Sequence, residues 1–369
     1  MKVKCISENK SITFLWGKTI KNIYITFLPI ENETINSFSK RLIDTVNRYN
    51  AQIVKCDIFG NRDKYSEFIH EIQSIEKKYV FPVTWIHSVN DNNNIITGAI
   101  IRGVSDIIPE TIFLESAALG RCYEDEFFRY CFLGGIFSNE PYVKPEQNAE
   151  NLFHKIEKLL NLYGMDMTNV VRTWFYNENL LNWYNEFNKV RTSFYESRGI
   201  LGKILPASTG VEGKNPFFTP VISSVEAIKP KKSGCGVREI LSPMQNQATS
   251  YGSSFSRAVE IFTPFERRLL ISGTASIGEN GQTLYWEDIN KQISHTFKVV
   301  EAILNSQKMK LEHVVRCIAY VKTKEYINNF YDKLKLLNII NFPTIVSVND
   351  ICRHDLLFEI ELDAVSLKK

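Results

Sequence analysis

Leu159-Leu-Asn-Leu-Tyr-Gly-Met-Asp-Met-Thr-Asn-Val-Val-Arg-Thr-Trp-Phe-Tyr176 and Ile303-Leu-Asn-Ser-Gln-Lys-Met-Lys-Leu-Glu-His-Val-Val-Arg-Cys-Ile-Ala-Tyr320 align without a gap at an offset of 144. Seven positions are identical, among them Val170/Val314, Val171/Val315, Arg172/Arg316 and Tyr176/Tyr320. Unrelated segments of this length share roughly one, so the chain repeats itself. Each copy reads as a helix running into a strand. Apolar residues recur at helical spacing in Phe153, Ile156, Leu159 and Leu160, and VVRTWFY is β-branched and aromatic.

Outward from that pair, each copy continues into a second helix, carrying Trp183-Tyr-Asn-Glu-Phe187 or Tyr326-Ile-Asn-Asn-Phe330. A Pro-led strand follows, Leu205-Pro206 or Phe342-Pro343, with Pro expected at the first strand residue. A weaker third copy lies nearer the start: Ile53-Val-Lys-Cys-Asp-Ile-Phe59, then Tyr65-Ser-Glu-Phe68, then Phe81-Pro82. Upstream, Arg129-Tyr-Cys-Phe-Leu-Gly134 echoes Arg268-Leu-Leu-Ile-Ser-Gly273 as an opening strand. These features predict an α+β chain of three units, 1–108, 109–230 and 231–369, each a mixed sheet covered on one face by two helices. Lys229-Pro-Lys-Lys-Ser-Gly234 suits an exposed linker between the last two. Three units packing edges and open faces together predict a monomer that imitates a trimer, with a homotrimer as the alternative.

Composition narrows the function. Lys and Arg exceed Asp and Glu by 44 − 41 = 3 in 369 residues, and the basic residues form no stripe with interleaved aromatics, which argues against nucleic acid or membrane surfaces as partners. Cysteines at 5, 56, 122, 131, 235, 317 and 352 form no CxxC pair, and six histidines form no HxH or HExxH, so no metal and no disulfide framework is expected. The start, MKVKCISENKSITFLWG, has no signal-peptide pattern and no later run is long enough to span a bilayer, which predicts a cytoplasmic protein.

The unit pattern resembles the YjgF/RidA family, also called chorismate mutase-like, whose small subunits form trimers with ligand pockets between neighbours. Ser254-Phe-Ser-Arg-Ala258, Leu270-Ile-Ser-Gly-Thr274 and Leu357-Phe-Glu-Ile-Glu361 stand where that family has its short motifs. Longer motifs resemble the chorismatases: Arg172-Thr-Trp-Phe-Tyr176, Tyr184-x-x-Phe187-Asn188-x-x-Arg191, Pro206-Ala-Ser-Thr-Gly-Val211, Ser242-Pro-Met-Gln-Asn-Gln-Ala248, Tyr251-Gly-x-x-Phe-Ser-Arg257, Gly273-Thr-Ala-Ser-Ile277 and Asp350-Ile-Cys-Arg-His-Asp-Leu-Leu-Phe-Glu359. They cover about the C-terminal two thirds; the first 105 residues carry almost no such signal. The resemblance implies a cofactor-free enzyme that removes pyruvate from chorismate.

That chemistry calls for an acid able to protonate the methylene carbon of an enolpyruvyl ether, and a carboxyl on an apolar strand has its pKa raised toward working pH. Glu359 and Glu361 point the same way on such a strand; the resemblance selects Glu359, and the competing reading has both facing solvent. The substrate's two carboxylates call for Arg. Arg257 is the first candidate against a surface ion pair, Arg191 the second, and Arg172 the third, since Lys55 and Arg316 at its repeat positions suggest a scaffold role. Tyr251 is expected to donate its hydroxyl, and the backbone at Ser208, Thr209 and Gly210 its N–H groups. Gln245 is a weaker candidate. Gly273, Thr274 and Ala275 are expected to form a pocket wall, with ordinary strand packing as the alternative.

Cys352, seven residues before Glu359, resembles the cysteine of chorismatases that form 3-hydroxybenzoate by internal attack of the substrate's C4 hydroxyl; the alternatives are an inert thiol, and hydrolysis to a dihydroxycyclohexadiene carboxylate. A RidA-like imine deaminase would need an Arg fifteen residues before the glutamate, where Thr344 stands, or Ser208 in the second unit. A non-catalytic ligand-binding protein is the third reading. The glutamate is expected to be missing from the other two units, whose closing strands read Ser224-Val225-Glu226 and Thr97-Gly98-Ala99.

Overall fold

The computed structural model describes residues 2–7, 10–16, 21–75, 81–88, 95–140 and 143–368. Apolar runs broken by Gly, Pro and Asn fold into three six-stranded mixed sheets of one topology. The first unit comprises β1 (Lys2–Ser7), β2 (Lys10–Trp16), β3 (Lys21–Phe27), α1 (Ile35–Arg48), β4 (Gln52–Gly60), α2 (Tyr65–Ile75), β5 (Val83–His87) and β6 (Ile96–Ser105). The second comprises β7 (Glu110–Leu114), β8 (Ala117–Glu124), β9 (Phe128–Ile136), α3 (Pro145–Asn161), β10 (Val170–Asn177), α4 (Tyr184–Ser197), β11 (Ala207–Glu212) and β12 (Val221–Pro230). The third comprises β13 (Gly236–Ile240), β14 (Ala258–Phe262), β15 (Glu266–Ala275), α5 (Ile289–Ser306), β16 (Val314–Val321), α6 (Ile327–Leu336), β17 (Thr344–Val348) and β18 (Phe358–Leu367).

In every sheet the closing strand lies between the third opening strand and the strand that follows the first helix, as in β13-β14-β15-β18-β16-β17. The last two strands of that order run parallel, joined over a helix. Helix starts follow their sequence signals: Asp288 accepts from the Lys291 N–H to cap α5, and Pro145 opens α3. The prolines sit one residue before their strands: β5, β11 and β17 begin at Val83, Ala207 and Thr344, because the first ladder position needs an N–H that Pro lacks. The stretch 229–234 is exposed, although Lys229 and Pro230 still belong to β12.

The central strands of each sheet, β4, β10 and β16 among them, are buried on both faces, which is why they read as near-continuous apolar runs. One face carries the unit's own helices, as where Phe153, Ile156 and Leu160 pack on Val225 and Ala227. The other faces meet at a pseudo-threefold axis. There Phe59 and Ile100 of the first unit, Trp174, Tyr176 and Ile222 of the second, and Ile318, Tyr320 and Ile345 of the third form one core.

The strand ladders fix which positions correspond. A register shift just before Lys55, Arg172 and Arg316 recurs in all three units, opposite Arg102, Glu226 and Asp363. The same comparison moves the echo of the opening strands by one residue. Leu133 pairs Val225 as Ile271 pairs Leu362, which sets Gly273 against Gly135 rather than Gly134. Such a slip inverts every side chain's face, and only the ladder reveals it.

Candidate active site

Where the second unit packs on the third, the sheets leave a cavity of about 650 Å³. β18 contributes Glu359, β15 Gly273 and Ala275, β11 Ser208 and Gly210, and the segments before β14 and β18 add Arg257 and Cys352. The two units are tied at this seam. Ala207 bridges Ser256, the Ser208 N–H donates to Ser272 Oγ at 2.9 Å, and Thr192 and Ser254 share a hydroxyl hydrogen bond of 2.7 Å.

Glu359 is 5% exposed. Burial pushes its carboxyl up to about 8, against the opposing pull of Arg172 and Arg257. At neutral pH it therefore holds a proton. Cys352 lines the same cavity, and burial, followed by the nearby Glu359, pushes its thiol up to about 12, so it is a thiol and not a nucleophilic thiolate. It packs against the apolar cluster of Ala275, Ile277, Ile351 and Leu356.

The arginines divide by role. Arg257 lines the cavity, is buried, and is braced by donating Nε–H to the Asn246 carbonyl at 3.0 Å. Arg191 lies behind the wall. It donates to Asn188 Oδ1 at 2.6 Å and Ser208 Oγ at 3.4 Å, two residues that face the cavity, and has no carboxylate within ion-pair distance among the described residues. A buried cation without a counter-charge leaves a positive field for an anionic ligand. Arg172 does not reach the cavity: it is fully buried in an ion pair with Glu361, which also accepts from Trp174 Nε1 at 2.9 Å and Arg316 Nη1 at 2.9 Å. Of the two glutamates on β18, Glu361 thus ties the units together and Glu359 faces the cavity, and neither faces solvent.

The remaining wall is mixed. Thr274 is buried with its hydroxyl donating to the Ser272 carbonyl at 2.8 Å, and does not line the cavity. Gln245 is a brace, donating to the Ala275 and Ile277 carbonyls. Tyr251 ends a short 3-10 turn, Ala248–Tyr251, and its side chain lies outside the described residues. Phe255, Lys189 and Arg353 also line the cavity and were not singled out from sequence. The available signal was on α4, where Tyr184, Asn188 and Thr192 recur at i, i+4 and place a polar stripe beside the cavity.

The counterpart positions explain why this seam differs from the other two. Glu359 pairs Tyr320 in the ladder, as Ile222 pairs Tyr176 and Gly98 pairs Phe59. The residues replacing the carboxylate are thus Ile222 and Gly98, fixed by register rather than by the short motifs. At Gly98 the neighbouring unit's Ile345 fills the space, with its Cγ1 2.9 Å from where a Cβ would stand.

Three tandem YjgF-like units around a pseudo-threefold axis define the fold class, and it is the fold of a solved chorismatase. That crystal structure superposes with a TM-score of 0.63 at 17% identity, over 85% of this chain and 92% of that chain. Residues 246–366, most of the third unit, match the family model described as Endoribonuclease L-PSP. Two single-unit structures are also similar. Yeast Mmf1 is 15% identical over 36% of this chain and 99% of its own, with a TM-score of 0.30. A YjgF/YER057c/UK114 family member from Mycobacterium tuberculosis is 21% identical over 36% of this chain and 100% of its own, with a TM-score of 0.27. No curated protein sequence matches the chain. Among the described residues, no helix is long and apolar enough to cross a membrane, and no cluster of His, Cys, Asp or Glu could hold a metal ion.

Proposed function

We propose that the protein is a chorismatase in which Glu359 is the general acid. The observation that carries this reading is a carboxyl held protonated at neutral pH by burial, on the wall of a cavity that also presents Arg257. Chorismate is a dianion. Arg257 takes one carboxylate, and Arg191, acting through Ser208 and Asn188, makes the neighbouring wall receptive to the second. Glu359 gives its proton to the methylene carbon of the enolpyruvyl group. The cation that forms there leaves as pyruvate once the bond between its oxygen and ring carbon C3 breaks.

Two fates follow for the ring. Attack by the substrate's own C4 hydroxyl, followed by proton loss and aromatisation, gives 3-hydroxybenzoate with no water consumed. Attack by water gives the dihydroxycyclohexadiene carboxylate. The apolar cluster of Ala275, Ile277 and Ile351 beside the protonated Cys352 favours the first, because it leaves little to hold an attacking water. Incubation with chorismate alone, followed by product identification, tests this: 3-hydroxybenzoate is expected from the wild type, and a shifted product mixture from Cys352→Ala.

The deaminase reading is disfavoured on specific ground. The position that would hold the carboxylate-binding Arg is Ser208, which lines the cavity and accepts from Thr173 and Arg191. Its counterpart Thr344 is buried.

A further inference from the structure

Gly273 interrupts β15 where the ladder to β18 slips between Ile271 and Thr274. Its backbone is not left-handed, unlike its counterpart Gly135 with φ of +65°, where a Cβ would also stand 2.5 Å from the Val83 carbonyl oxygen. Backbone geometry therefore demands glycine at 135 but not at 273. At 273 the demand comes from a side chain. A Cβ there would fall on Glu359 Oε1 and lie 3.0 Å from its Cδ and 3.5 Å from the Thr209 methyl.

We propose that Gly273 is a positioning residue: the space of its missing side chain seats the Glu359 carboxyl, and so sets both its aim and its shielding from water. The inference deepens the reading of Glu359 as the acid and rests on it. The carboxyl occupies the space over bare β15 backbone, and the Thr209 methyl, from the other unit, borders that same space. Alanine at 273 meets only the end of a flexible side chain, so the fold can accept it by moving the carboxyl. The open direction is the cavity, where Arg257 stabilises the anion.

The test reads the carboxyl itself. The infrared C=O band of protonated Glu359, isolated as the difference between wild type and Glu359→Gln, is followed against pH in the Gly273→Ala background and in its absence. The midpoint is expected to fall by at least about one pH unit in Gly273→Ala. It is expected to stay put in Gly103→Ala, where the added Cβ makes only ordinary contacts of 3.5 Å. A folded Gly273→Ala protein with an unmoved midpoint overturns the proposal. Should that variant fail to fold, Thr209→Ser, which removes only the shielding methyl, decides in its place: a lowered midpoint supports the seat, an unchanged one removes it. The readout needs no turnover. A midpoint shift without pyruvate release would therefore sink the chorismatase reading and leave the seat standing, and pyruvate release with an unmoved midpoint would do the reverse.

Discussion

Burial of Glu359 has two consequences, one for the proposed activity and one for stability, that a single pH scan makes visible. A general acid must carry its proton, so kcat/KM is expected to fall as pH rises through about 8, the value to which burial pushes this carboxyl. Glu359→Gln keeps the shape and loses the proton, and activity is expected to drop by roughly 10²-fold or more. Stability runs with the same sign. In the unfolded chain the carboxyl titrates near its ordinary 4.5, and in the fold near 8. Between these values the folded state keeps a proton that the unfolded state has released, so stability falls as pH rises and the loss is complete above about 8. Urea melts of Glu359→Gln should lack this fall, leaving the variant more stable than wild type at alkaline pH by on the order of a few kcal/mol. Arg257→Lys tests the ligand side. Losing the planar fork is expected to raise KM by about 10-fold or more with the fold intact, as steady-state kinetics and circular dichroism would show.

At the scale of elements, β18 carries two glutamates with one direction and two tasks. Glu361 pairs with Arg172 across the seam between the second and third units and with Arg316 of its own unit, which Asp363 also pairs. Glu361→Ala strands Arg172 in the interior, while Arg316 keeps its ion pair with Asp363, and is expected to cost about 3–5 kcal/mol in chemical denaturation, far more than a surface pair. The repeat in VVR…Y and its helices was legible because apolar periodicity and a shared offset survive in the sequence. Gly273, Glu359 and Arg257 could be singled out because resembled motifs surround them. Whether Arg172 faced ligand or scaffold was not legible: that depends on its pairing with a residue 189 positions away. Lys189 and Arg353 were missed for a related reason, since a helix and a loop from different units meet only after the sheets have packed. The one-residue displacement of the Arg129 echo shows the same limit, because a ladder slip leaves no mark on composition.

Seen whole, the chain surrounds its own pseudo-threefold axis, with all three units contributing to one central core. That arrangement predicts that the protein sediments as a single chain of 42.6 kDa; a mass near three chains would show that the threefold packing is not satisfied internally. The same arrangement places a carboxylate at this register position in one seam, since Ile222 and Gly98 stand at the equivalent positions of the other two units. The most direct measurement is release of pyruvate from chorismate by the purified protein without added metal or cofactor, run beside Glu359→Gln. Pyruvate and an aromatic acid in equal amounts from the wild type, with almost none from the variant, is the result the account predicts. No pyruvate from the wild type, or undiminished pyruvate from the variant, would contradict it.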